Sequence, residues 1–119
     1  MASSDSPHHP CLVQLRRQLA RLPEAVEIET WGHPTFRAGK KIYAIFGDEN
    51  GGPALNVKQQ PEQQEALLER PGYFYPPYTG HKGWIGVLVD EVPWEDIEPI
   101  LVDGYRQVAL KRMLKALDG

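Results

Sequence analysis

Four short extended runs follow one another between residues 26 and 58, and only a few residues connect each to the next. A parallel pair needs a crossover of a dozen or more residues, so strands this close can pair only antiparallel. That constraint does more than any other to decide what the chain can fold into. Val26, Ile28 and Thr30 alternate with Glu27 and Glu29, the period of a half-buried strand with one wet face. His33 to Ala38 is a second run, and Pro34 places its start near an edge or a turn. Gly39 turns the chain into residues 40–46. Asp48-Glu49-Asn50-Gly51-Gly52 then reads as a flexible hairpin connection to residues 54–58.

Helices flank these strands. Leu12, Leu15, Leu19 and Leu22 recur at helical spacing with Arg16, Arg17 and Arg21 on the other face. Pro10 suits the first position of that helix and Pro23 marks its end. A second helix opens at Pro61 and runs to about Arg70, with Leu67 and Leu68 facing inward. Residues 71–83 contain three prolines, three tyrosines and Phe74, which excludes regular helix there. Residues 84–90 are the most apolar run and read as a central strand. A long last helix starts near Pro93 or Trp94, with Ile97, Leu101, Tyr105 and Val108 as its buried stripe. Pro99 is tolerable there if it lies in the first turn. The order helix, four strands, helix, strand, helix predicts an α+β fold, an antiparallel sheet of about five strands with helices packed on one face. Residues 1–8 are small and polar and read as a disordered tail. Residues 9–119 read as a single domain, since a chain of 119 residues falls within the usual range for one.

The composition excludes more than it selects. A formal net charge of -3 removes the easiest argument for nucleic acid as a partner. Cys11 is the only cysteine, so no internal disulfide can form. The first residues show no basic residue followed by an apolar stretch, and no run approaches the ~18 apolar residues that span a bilayer. The expectation is a cytoplasmic protein with no membrane partner. All three serines lie at positions 3, 4 and 6, so the folded part has none to activate. Cys11 sits among leucines at a helix start, where packing is the simplest role. His8 and His9 fall in or beside the tail, His33 and His81 stand alone, and no ligand-pair spacing appears. Glu95, Asp96 and Glu98 crowd the first turn of the last helix, where negative charge complements the helix dipole. These readings predict no catalytic residue, no metal and no cofactor: a binding protein rather than an enzyme.

One constellation stands above this background. Arg37, Lys40, Lys41, Lys58, His81 and Lys82 are interleaved with Trp31, Phe36, Tyr73, Phe74, Tyr75, Tyr78 and Trp84. Cations alternating with flat rings suit single-stranded nucleic acid, which offers a phosphate to one and a base face to the other. Tyr78 or Trp84 would be the stacking platform. The plainer reading makes Trp31, Phe36 and Trp84 core and the lysines solvated strand ends. Gly80-His81-Lys82-Gly83 has the G-x-x-G spacing of a backbone-clamping loop, but it leads into a strand rather than joining two helices.

Trp31-Gly32-His33-Pro34-Thr35-Phe36-Arg37, Gly39-Lys40-Lys41-Ile42-Tyr43-Ala44 and Leu55-Asn56-Val57-Lys58 resemble the MmcQ/YjbR family. So do Pro76-Pro77-Tyr78, Gly80-His81-Lys82-Gly83-Trp84 and Gly104-Tyr105-Arg106, in the same order along the chain. The resemblance implies a fold like that of the bacterial protein CyaY and a "double wing" arrangement labelled DNA-binding. The expected function is therefore weak, salt-sensitive binding of DNA or single-stranded nucleic acid through Arg37, Lys40, Lys41, Lys58, His81 and Lys82, with Tyr78 or Trp84 stacking. Two other readings stay open: a protein-interaction module using the aromatic loop 73–84, or a small-molecule pocket beneath that loop.

Overall fold

In the computed structural model, which describes residues 9–119, the expected runs pair into one antiparallel sheet. The strands are β1 (Ala25–Thr30), β2 (His33–Ala38), β3 (Lys41–Glu49), β4 (Gly52–Val57), β5 (Tyr73–Phe74) and β6 (Ile85–Leu88). Their spatial order is β1-β2-β3-β4-β6-β5. The apolar run at 84–90 supplies β6, which lies between β4 and β5 as a central strand should. The sheet has six strands rather than about five, because Tyr73 and Phe74 pair with Val87 and Gly86. Two residues are too few to show a period, and their prolines pointed to irregular chain. The tail expected at residues 1–8 lies outside the described residues.

The helices are α1 (Pro10–Leu19), α2 (Pro61–Leu68), α3 (Trp94–Val108) and α4 (Lys111–Asp118). Helices α1 and α3 cover one face of the sheet, burying Leu12, Leu15, Ile97, Leu101 and Tyr105 against Phe36, Ala44, Phe46, Leu55, Val57, Ile85 and Val87. Each large apolar side chain so buried contributes roughly 1.5–3 kcal/mol. Helix α2 lies against β5 and β6, with Leu67 and Leu68 only partly buried against the core. Among the described residues no helix is long and apolar enough to cross a membrane.

Four local expectations need correction. His9 is structured: its Nδ1 accepts from the Cys11 N–H as the N-cap of α1, and its Nε2 lies 3.2 Å from Asp90 Oδ1. The long last helix is two helices, broken at Ala109 and Leu110, whose extended ψ values of 145° and 160° swing the chain into α4. Pro99 lies in the second turn of α3, not the first, so its missing N–H leaves the Glu95 carbonyl without its helical donor. In β1 the faces are reversed. Val26 and Ile28 are 40% and 44% exposed, while Glu27 turns toward the helices and accepts two hydrogen bonds from Arg16 at 2.7 and 2.8 Å. Alternation fixes two faces but not which one is covered, and here an arginine of α1 claimed the acidic one.

Candidate nucleic-acid interface

Antiparallel pairing sorts the charged residues by end of the sheet. The β2–β3 turn, the end of β4 and the approach to β6 fall at the same end, because β3, β4 and β6 alternate in direction. That end therefore carries Lys40 and Lys41 at the turn, Lys58 after β4, and His81 and Lys82 in the short 3-10 turn Gly80–Lys82 before β6. The opposite end carries the β3–β4 hairpin with Asp48 and Glu49, together with Asp90, Glu91 and the acidic first turn of α3. The four lysines thus gather at one end, where the nearby Glu24 is taken by Arg112.

The lysines at this end are uncommitted. Lys40, Lys41, Lys58 and Lys82 make no ion pair among the described residues, whereas Arg16, Arg21, Arg70, Arg106 and Arg112 all pair with carboxylates. A cleft of about 340 Å³ opens between the β2–β3 turn and α4, lined by Lys40, Lys41 and Arg112 on its polar side and by Val108, Leu110 and Met113 on its apolar side. Arg112 spends its fork on Glu24 at 2.8 Å for both bonds. That pairing holds the Glu24 carboxyl below its ordinary range, chiefly through the hydrogen bond. The two lysines are left as the cations available to an incoming anion. Sequence reasoning missed Arg112. Its signal was the pair Lys111-Arg112, hidden by reading residues 93 onward as one continuous helix.

The remaining expected residues separate. Arg37 lies on the sheet face away from the helices, half-buried, donating to the hydroxyls of Thr35 and Thr30 at 3.3 and 2.9 Å. Trp84 is 8% exposed, so it cannot be a stacking platform, and it is buried outside the main core cluster. Gln64 Nε2 donates to its carbonyl at 2.8 Å and fixes the Gly83 turn to α2. Tyr78 is 90% exposed, but it lies at a second cleft beside Trp31, Asp48 and Glu49, not among the lysines. Trp31, read as core on the plainer view, is 92% exposed. The structure thus brings the lysines and His81 to one end, with the exposed Tyr75 ring against Gly80 beside His81, and places Trp31 and Tyr78 at the second cleft. Of the aromatic loop 73–84, Pro76 and Trp84 are buried, and Tyr75, Pro77, Tyr78 and His81 are exposed.

The chemistry of the interface is that of point charges on a rigid frame. Burial first, and Asp90 second, push the Cys11 thiol up to about 12, so it is withheld from nucleophilic work at neutral pH. No three His, Cys, Asp or Glu side chains among the described residues gather to hold a metal ion.

With this geometry in place, the chain can be set beside known proteins. The YjbR family model matches residues 20–107, which takes in the whole sheet, α2 and nearly all of α3. The chain belongs to the YjbR family. The match includes Lys40, Lys41, Lys58 and Lys82 and stops short of Arg112. Two solved structures share the YjbR fold. A Deinococcus radiodurans protein of the DUF419 family superposes with a TM-score of 0.74 at 24% identity, over 89% of this chain and 86% of that one. A Pseudomonas syringae protein superposes with a TM-score of 0.63 at 22% identity, over 71% of this chain and 86% of that one. At such identities the likeness is one of fold. No curated protein matches the chain.

Proposed function

We propose that this chain is a non-enzymatic binding protein that holds nucleic acid weakly, by its phosphate backbone, at the lysine end of the sheet. The observation that carries the reading is the gathering of Lys40, Lys41, Lys58, His81 and Lys82 at one end, with the four lysines unpaired and a cleft between two of them and α4. Phosphate contacts of this kind give affinity without sequence preference and work by releasing counterions. The carboxylates at the far end orient the molecule on a polyanion, basic end first. The reading drops Trp84, keeps the double-wing label as an analogy of fold, and suits a cytoplasmic location.

The test is anisotropy of a labelled random oligonucleotide, single- and double-stranded. With about four phosphate contacts, affinity should fall roughly 100-fold between about 50 mM and 200 mM salt. Reversing Lys40, Lys41 and Lys58 to glutamate should abolish binding and leave the melting temperature nearly unchanged, because exposed charges contribute little to stability. Absence of binding by folded protein at low salt, or full binding by the reversed variant, would falsify the proposal.

A further inference from the structure

At the opposite end of the sheet, the chain makes two hairpins of the same kind with different residues. The β3–β4 turn places Asn50 and Gly51 at φ 54° and 94°, the left-handed pair that Asn-Gly favours. The β1–β2 turn places Trp31 and Gly32 at φ 52° and 81°. A bulky side chain is out of place there, since its Cβ crowds the following carbonyl. The indole gains nothing back by packing, being 92% exposed. Tyr78 repeats the pattern, with φ 69° and 90% exposure, in a loop pinned by Thr79 N–H to Pro77 O at 2.7 Å and Gly80 N–H to Pro76 O at 3.0 Å.

Both rings stand at one cleft of about 370 Å³ on the sheet face that α1 and α3 leave open. Asp48 and Glu49 line it, and no lysine or arginine among the described residues does. The imidazole of His33 lies against Gly47, where a Cβ would come within 2.9 Å of its Nδ1, so only glycine lets the cleft keep its floor. Asn56 lines the same cleft and is only 9% exposed. Its Oδ1 accepts from the Thr79 hydroxyl at 3.2 Å, and an amide oxygen has a second lone pair to offer.

We propose that this cleft binds a flat organic cation of the guanidinium type between Trp31 and Tyr78. Aromatic faces attract a cation placed over them, and guanidinium stacks on them better than ammonium does. Asp48 and Glu49 supply the complementary charge and would repel a nucleotide's phosphate. Burial already raises the Glu49 carboxyl above its ordinary range, with His33 opposing, so a bound cation replaces solvation that this carboxylate has lost. Asn56 Oδ1, which accepts from Thr79, has a second lone pair with which to accept an in-plane N–H of the planar group. The site is independent of the lysine end and needs none of its residues.

N-acetyl-arginine amide is the probe, and N-acetyl-citrulline amide is its neutral, nearly isosteric control. In ¹H–¹⁵N spectra of the whole chain, the arginine probe should shift the Trp31 indole N–H and the Asn56 side-chain amide, and bind at least about tenfold tighter than the citrulline probe. Trp31→Asn and Tyr78→Ala should each weaken it by about tenfold or more while the protein stays folded, since both rings are solvent-exposed. A pentapeptide carrying the same arginine separates the two sources of such a cation: tighter binding than the single residue marks a protein side chain, equal binding a free molecule. No shift at Trp31 or Asn56, equal affinity for the citrulline control, or unchanged binding by both variants would overturn the proposal.

Discussion

Trp31 shows how much one residue can reveal once its backbone is known. In the sequence it is one aromatic among eleven and the obvious candidate for core. In the structure it occupies a left-handed turn position that Asn50 fills in the neighbouring hairpin, and it is 92% exposed. The left-handed conformation costs a β-carbon-bearing residue about 1 kcal/mol, and nothing buried repays it. Trp31→Asn should therefore raise stability by about 1 kcal/mol, read as a higher urea midpoint with an unchanged slope. A loss of stability would mean that the ring packs in solution. Trp84 is the converse case. Its place beside Gly83 at the mouth of a strand was compatible with burial or exposure; in the fold it is 8% exposed, with Gln64 of α2 donating to its carbonyl.

Among the elements, α3 holds the fold together at the lysine end. Gly104 lies in the middle of this helix, where glycine ordinarily costs about 1 kcal/mol against alanine. Here a Cβ would come within 3.0 Å of Val57 Cγ1, 3.1 Å of the Lys58 carbonyl oxygen and 3.4 Å of the Tyr43 carbonyl oxygen. Two of those neighbours are backbone, so they cannot move aside as a flexible chain end would. Gly104→Ala should therefore destabilise by about 1–2 kcal/mol net, the overpacking outweighing the gain in helix propensity. Chemical unfolding would read it, and a more stable variant would show that α3 can lift off the sheet at little cost. The same element marks a limit of periodicity. Ile97, Leu101 and Tyr105 are buried as their spacing predicts, but nothing in the stripe signalled the break at Ala109 that folds α4 back toward Gly39, whose added Cβ would meet Met113 at 2.9 Å.

For the molecule as a whole, the two ends differ in charge and the core withholds its protons. Burial pushes Cys11 from an ordinary 9.0 to about 12 and raises the Tyr43 hydroxyl above its usual range as well. The unfolded chain releases both protons near their ordinary values, while the folded chain keeps them. Stability should thus be fully present below about pH 9 and fall as pH rises toward 12, since the unfolded state then binds fewer protons. Urea midpoints at about pH 8 and about pH 10.5 test the sign. Tyr43→Phe should flatten the alkaline fall, and it removes a buried hydroxyl that has no hydrogen-bond partner among the described residues. A midpoint that holds steady or rises with pH would contradict the burial of these groups.

Short connections forced antiparallel pairing, leucine spacing placed α1, and the apolar run at 84–90 put β6 inside the sheet. The ordered motifs from Trp31 to Arg106 resembled the family that the match over residues 20–107 establishes. All of these depend on local spacing or on residue types, which a linear chain displays. Tertiary structure alone decided the rest. It chose which face of β1 meets the helices, because that depended on Arg16 finding Glu27 across 11 residues. It gathered Lys40, Lys41, Lys58 and Lys82 at one end, because strand direction, not sequence distance, sets which turns are neighbours. It parted Tyr78 from those lysines and set it beside Trp31, because the loop after β5 crosses the open face of the sheet to reach Asn56. Contacts between distant residues depend on the paths of everything between them, and no local period records those paths.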